Sequence, residues 1–416
     1  MKDESKKTEK NTKTKEGNKP MSTRKKTVLI ILSVVLLILI SVSAVFTYAW
    51  FNKPEDKSDA FGALPTLPPD IAGTFPPPPS LGGDETNPPS TGDNPPPDNP
   101  TTPKGIYNFL MLCHDRVALN TDVIMVVNLN TVSNKITVLQ IPRDTYIELD
   151  YFHGKISALY AHYYVSGANN GEKNPTSYGL RKMCETIQYN MYLPLQGAAI
   201  INLDGFRNIV DILGGVEVNI PSDMTYYDET QELEIKLKKG VHLLKGAAAE
   251  GFVRFRSGYV TADIGRMDAQ KIFMSAMLKK IKNSFNVETI AKLTEQVLEH
   301  VTLENIPALD IVSYARALLN IDLGNIKFIS MPGINAGGEY NWYHVMIRKN
   351  MHQIINENFN IFGRDIPEPY FDINRVFTST ELFPYINELY TKQDYAGDNG
   401  HSADDLNNQG IDIPRI

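Results

Sequence analysis

The stretch VRFRSGYVTADIGRMDAQ, Val253 to Gln270, sets Arg254 and Arg256 two residues apart, with Arg266 following after a short loop. Val253 and Phe255 alternate with the first two arginines, which predicts a strand projecting both guanidiniums from one face. Like charges side by side are unfavourable unless an anion or carboxylates lie between them. Asp263 then reads as the N-cap of a helix, so that Arg266 and Gln270, four apart, share a face near its positive end. Guanidinium forks and a helix N-terminus both suit phosphate oxygens. The same arginines could equally be paired with surface carboxylates.

A second constellation lies upstream. In QIPRDTYI, Pro142 stops ladder bonding and leaves Arg143 and Asp144 at a strand terminus, a common position for functional groups on α/β sheets. In CHDRVALNTDV, Asp115 and Asp122 flank a short loop. Two carboxylates there could hold a hard divalent cation, since magnesium takes one or two carboxylates, waters and substrate phosphates. A loop aspartate can also be a plain turn former or cap.

The elements that must position these groups follow from periodicity. IYNFLMLC, Ile106 to Cys113, reads as a buried strand, and DVIMVVNLN and KITVLQIP as a hairpin across TVSN, Thr131 to Asn134. These runs are apolar on both faces, so the sheet should be covered on both sides. Phe206, Ile209, Val210 and Leu213 fall at helical spacing, with Asp204 as the expected N-cap and Gly214–Gly215 as the stop. VEVNI, Val216 to Ile220, alternates as a strand. Further helices are expected from Asp263 to about Lys282 and within Val287 to His300, and a further strand in NIKFISMPG. Interleaved strands and helices predict an α/β fold: a central mixed sheet with helices on both faces.

The 416 residues carry a formal net charge of −7, which excludes a general nucleic-acid binder but leaves room for a local basic pocket. Cys113 and Cys184 are far apart without CxxC spacing, which excludes the usual zinc and thioredoxin motifs and fits two buried thiols. Residues 1–26 form a basic cytoplasmic segment, and residues 27–51 contain an uncharged run, Val28 to Trp50, long enough to span a bilayer. The lysines and arginine before it place the N-terminus in the cytoplasm, and Tyr48 and Trp50 suit the outer interface. Residues 52–104 are a Pro-rich extracytoplasmic linker, an extended spacer that cannot bury a core. A folded domain is expected over 105–360, followed by a polar, partly disordered tail over 361–416.

Taken together, the membrane anchor, NFLMLCHD, TDVIMVVNLN, QIPRDTYI, KISALYA, LDGFRNIVDILGGVEV, GVHLLKGAAAEGFVRFR and DIGRMDAQ resemble the LytR–CpsA–Psr (LCP) family, over about residues 105 to 350. QIPRD followed by VRFR and DxGRxxxQ is specific in combination. The resemblance implies an LCP-like fold preceded by one transmembrane helix. It also implies a phosphotransferase that moves a glycopolymer, of teichoic acid or capsule type, from an undecaprenyl-pyrophosphate carrier to peptidoglycan. The implied setting is the cell membrane of a Gram-positive-type bacterium, and the implied cofactor is Mg2+ or Mn2+. By position, Asp115 and Asp122 would be metal ligands. Arg143, Arg254, Arg256 and Arg266 would contact the pyrophosphate, with Gln270 hydrogen-bonding and Lys155 nearby. Asp144 would support Arg143, and Asp263 would be the base for the acceptor hydroxyl. The sequence departs from the family where Cys113-His114-Asp115 replaces a GSD-like start, where Asn120 and Thr121 precede Asp122, and where Ser157 ends the KIS triplet. Those departures motivate the alternative of a non-catalytic binder of polyprenyl phosphates or envelope polymers.

Overall fold

The computed structural model describes residues 105–408 apart from 116, 150, 192, 232, 260–262, 285–286, 336–341, 362–364 and 367–399. The expected basic segment, membrane span and Pro-rich linker lie outside the described residues. Among the described residues no helix is long and apolar enough to cross a membrane.

Strands β1 (Ile106–His114), β2 (Thr121–Asn130) and β3 (Lys135–Gln140) form an antiparallel meander. A small hairpin of β4 (Tyr146–Leu149) and β5 (Phe152–Lys155) follows, then helices α1 (Leu159–Asn169) and α2 (Pro175–Met191). Next come β6 (Gly197–Asn202), α3 (Leu203–Ile212), β7 (Val216–Ile220), a hairpin of β8 (Met224–Asp228) and β9 (Leu233–Leu237), and β10 (Gly240–Leu244). Helices α4 (Gly246–Arg254), α5 (Asp263–Asn283) and α6 (Val287–His300) lead to β11 (Val301–Glu304) and α7 (Ala308–Asn320). The last elements are β12 (Ile326–Ser330), β13 (Gly333–Asn335), β14 (His344–Met346), α8 (Arg348–Asn358), β15 (His401–Ser402) and α9 (Ala403–Asn408).

The main sheet among these residues has the order β11-β6-β1-β2-β3-β12-β15. β1 runs parallel to β6, and β3 parallel to β12, while the other neighbours are antiparallel, so the sheet is mixed as expected. Alternation along β1 explains why both faces are covered. Leu110 and Leu112 point into one core with Tyr160, Leu180, Cys184 and Ile187 of α1 and α2. Tyr107 and Phe109 point into a second core with Val210, Ala249, Phe252 and Phe273 of α3, α4 and α5. Phe206 and Met274 pack against this second core. Neither cysteine is in a disulfide; burial pushes the Cys184 thiol up, and Cys113 is half-buried.

Two expectations need correction. The segment Val253–Arg256 is not a strand: Arg254 is the last residue of helix α4, and Phe255 turns extended behind it. A four-residue apolar/polar alternation cannot be told from a helix end by period alone. The preceding Gly246–Glu250 run is rich in alanine, a strong helix former, and Ala249 and Phe252, three apart, are both fully buried on one face.

The second correction concerns α3, whose cap is Asn202 rather than Asp204. The Asn202 side chain accepts a hydrogen bond from the Gly205 amide at 2.8 Å, and Asp204 lies exposed in the first turn. Replacing Asn202 by alanine is expected to destabilise the fold by about 1 kcal/mol, read as a lower denaturation midpoint at unchanged slope. The helix stops as expected at Gly214 and Gly215, whose φ angles of +76° and +95° favour glycine.

Residues 400–408 of the polar tail pack on the domain. β15 adds an edge strand beside β12, and Ala403 and Leu406 of α9 are buried against the second core. Ser275 of α5 donates to the Ala403 carbonyl at 2.5 Å. Two apolar residues in a polar segment are enough to dock one turn of helix, a signal too sparse for periodicity to register.

Candidate functional site

The site lies at the end of the sheet where β1 finishes, β2 begins and β3 finishes. The loop between β1 and β2 is closed by the Asp115 amide donating to the Asn120 carbonyl at 2.9 Å. The Asp115 carboxylate Oδ1 accepts from the amides of Val117 and Ala118 at 3.0 and 2.7 Å, which holds the turn. Leu119 takes a φ of +56° to complete it. On the β2 side the register slips: Cys113 pairs with Val123 but His114 with Thr121, so Asp122 is the extra residue of a bulge. Bulges beside functional sites commonly re-aim a side chain, and this one delivers Asp122 to the arginines.

A cavity of about 290 Å³ is lined by Asp115, Asp122, Arg143, Arg254, Arg256 and Arg266, together with groups from the β8–β9 hairpin. Arg143 donates to Asp122 Oδ1. Arg266 Nη1 stands 3.8 Å from the same oxygen, and Arg254 Nε 3.9 Å from Oδ2. One carboxylate thus sits among three guanidiniums from β3's exit, α4 and α5. Arg256 opens a turn, 256–259, whose first three residues are exposed and in which Gly258 adopts a φ of +87°. Among the described residues that line the cavity, four guanidiniums stand against two carboxylates, an excess of two positive charges. The Nε atoms of Arg143 and Arg266 are buried without a hydrogen-bond partner, a condition native folds tolerate mainly where function requires it.

Asp144, Lys155, Asp263 and Gln270 are not on the cavity wall. Asp144 Oδ1 lies 2.8 Å from Lys155 Nζ and 3.7 Å from Arg143 Nε, so it ties the β3 exit to the β4–β5 hairpin. The Asp144 carbonyl accepts from the His344 amide at 2.9 Å. Burial of His344 holds its imidazole neutral, pushed down to about 4. Asp263 is the first residue of α5 and ion-pairs with Arg266 one turn on. Burial raises its carboxyl above the usual aspartate range; Arg266 opposes that rise and Asp144 reinforces it.

Gln270 is placed differently from the expected ligand contact. It is buried at 3 % exposure; its Oε1 accepts from Gln140 at 2.5 Å, and its Nε2 donates to the Val253 carbonyl at 3.1 Å. Both ends of the amide therefore join β3, α5 and the last turn of α4, and the residue holds Arg254's helix in place from behind.

The hairpin residues Tyr226, Thr230, Gln231 and Leu233 form a wall that motif reasoning missed. Gln231 Oε1 accepts a hydrogen bond from Arg254 Nη2. The only sequence signal is the alternation of MTYYD and LEIKL around a polar turn, which predicts a hairpin but not where it packs.

The donor set fits a hard divalent cation. Asp115 and Asp122 offer carboxylate oxygens to one cavity, and among the described residues no group of three or more His, Cys, Asp and Glu forms a metal cluster. Carboxylate oxygens without thiolate or imidazole partners are the donor chemistry that magnesium would take rather than zinc.

Comparison with known proteins adds four findings. The LytR_cpsA_psr family model matches residues 85–360. The teichoic acid transferase TagV of Bacillus subtilis (strain 168), named for transfer from a polyisoprenyl carrier to peptidoglycan, is 28% identical over 186 residues, 44% of this chain and 44% of that protein. The cell wall biosynthesis protein LcpA of Corynebacterium glutamicum is 27% identical over 238 residues, 53% of this chain and 45% of that protein. The chain thus spans less than half the length of these curated relatives. The crystal structure of B. subtilis TagV overlays with a TM-score of 0.49 at 23% identity, covering 61% of this chain and 95% of that one.

Proposed function

Because the chain belongs to the LytR_cpsA_psr family, we propose that it is a glycopolymer–peptidoglycan phosphotransferase. Its donor would be a polyprenyl-pyrophosphate-linked polymer of teichoic acid or capsule type. The observation that carries this reading is the convergence of Arg143, Arg254, Arg256 and Arg266 on one cavity with two surplus positive charges. A pyrophosphate diester carries about two negative charges near neutral pH. Its transfer is dominated by charge neutralisation and in-line placement of the acceptor.

In the proposed reaction an acceptor hydroxyl oxygen forms a bond to the phosphorus that carries the polymer. The bridging P–O bond breaks, and polyprenyl monophosphate leaves with the electron pair. Arg143, Arg254 and Arg266, held around Asp122, bind and orient the two phosphates. Asp144 and Lys155 fix the turn that carries Arg143. Asp263 takes the hydroxyl proton. Asp115 and Asp122 would hold a Mg2+ or Mn2+ ion, which supplies further neutralisation of phosphate charge. The Val28–Trp50 span would anchor the chain in the membrane with the domain outside, within reach of a lipid-borne donor and the wall.

Arg254→Ala removes charge-assisted hydrogen bonds worth about 1.5–3 kcal/mol. Transfer of a synthetic lipid-pyrophosphate glycan to peptidoglycan, measured as kcat/KM with Mg2+, Mn2+ or chelator, is expected to fall by roughly 10–150-fold. Wild-type turnover by this variant would defeat the reading. A second reading, binding without transfer, is favoured by Asp263 being closed onto Arg266 in the free protein. Tight donor binding with no turnover under any metal condition would select it.

A further inference from the structure

Glu250, one turn before Arg254 on α4, has 0 % exposure yet carries a charge that the proposed reaction does not use. Its Oε1 accepts from Arg254 Nη1 at 2.9 Å, and its Oε2 accepts from Arg207 Nε of α3. A buried carboxylate is retained at a large desolvation penalty, and an apolar replacement of such a group is often at least as stable. Fold stability alone is therefore a weak reason for its presence.

The surroundings show what the carboxylate does. It takes the Nη1 side of the Arg254 fork, while Nη2 meets Gln231 and Nε faces Asp122, both on the cavity wall. Arg254 itself is 9% exposed, so its fork has little freedom once Glu250 is engaged. The close approach of α3 to α4 is built in as well. A Cβ on Gly246 would stand 2.7 Å from Asp211 Oδ2 and 2.9 Å from the Arg207 carbonyl. The Gly246 amide donates to Asp211 Oδ1 at 2.9 Å, which fixes this contact one turn ahead of Glu250.

We propose that Glu250 is a positioning residue for donor binding. With Arg207 as its buried counter-ion, it clamps one edge of the Arg254 guanidinium and turns the other edge toward the pyrophosphate. Gln231 holds that outward edge in the free protein and gives it up to a phosphate oxygen. This rests on the pyrophosphate reading of the cavity and adds a residue outside it that sets the affinity.

The test measures affinity of the full chain for a short-chain polyprenyl pyrophosphate, together with the melting temperature. Glu250→Gln is expected to weaken binding at least tenfold. Added to Arg254→Ala it should weaken binding no further, because it acts only through that fork. Should Glu250→Gln fold poorly, the paired change Arg207→Leu with Glu250→Leu removes both charges. Arg254 keeps Gln231 and Asp122 as neighbours in this variant, so it is expected to fold and still bind at least tenfold more weakly. A full additive loss on the Arg254→Ala background, or wild-type affinity in the paired variant, would overturn the proposal. If Arg254→Ala itself binds as wild type, the pyrophosphate reading of the cavity falls first, and this inference with it.

Discussion

Asp263→Asn is expected to lower kcat for polymer transfer by about 10²- to 10⁴-fold, the usual contribution of a positioned general base, while leaving the folded state no less stable above the carboxyl's raised pKa. The two effects have one origin. Burial raises the carboxyl's pKa in the folded protein despite Arg266 beside it, and Asp144 adds to the rise. A carboxyl whose folded pKa exceeds its unfolded value of about 3.9 gives stability that is fully present below that value. The stability is lost as pH rises through the folded pKa. Once pH has passed the raised pKa, the ionised Asp263 is a burden on the fold, and the neutral asparagine removes it. The wild-type rate should climb as pH passes through the raised pKa, and the asparagine variant should lack that limb. Rate–pH profiles and denaturant midpoints taken on the same preparations decide the matter. An active Asp263→Asn enzyme with the same acid limb would remove Asp263 from the role of base.

Phe273→Ala should be the most damaging single truncation in the second core, at about 3–5 kcal/mol. Phe273 of α5 is fully buried and packs its ring 5.5 Å from Phe206 of α3 and 6.4 Å from Phe252 of α4. It joins the helices that carry Arg254 and Arg266, two turns from the latter. Removing it leaves a cavity among aromatic rings that three separate helices cannot easily close. Chemical denaturation should show the loss as a shifted midpoint with little change in slope. A shift equivalent to less than about 1 kcal/mol would mean that the helices re-pack freely, which the close-packing argument forbids.

Much of this was legible in the sequence. Strong, long signals carried: the β1–β3 meander, the Gly214–Gly215 stop, and the helix from Asp263. The arginines that line the cavity stand at positions that charge and spacing singled out. What failed did so for local reasons. Four residues at VRFR gave no way to separate a strand from a helix end, so the two arginines emerge from a helix terminus and a turn rather than from one strand face. Gln270 has the right residue type in the right motif, but its amide is consumed by Gln140 and Val253. Glu250 was invisible because a glutamate in an alanine-rich stretch looks like a solvent-facing helix residue until burial is known. The Gln231 wall depends on how a hairpin packs, a tertiary fact with no local signature.

The short strand β15 has a consequence for how the chain matures. β12 is bordered on one side by β3 and on the other by residues that come far later in the polypeptide. During vectorial synthesis or export, β12 can pair with β3 as soon as both have emerged, and its outer backbone groups must then wait. An unpaired strand border is a template for joining another chain, and multi-element domains are most prone to misassociation in such half-finished states. The late-arriving His401–Ser402 segment and the helix turn behind it therefore act as a closing clasp. Until it engages, the nascent domain is exposed to neighbours, and afterwards Lys327 and Phe328 are paired with Ser402 and His401.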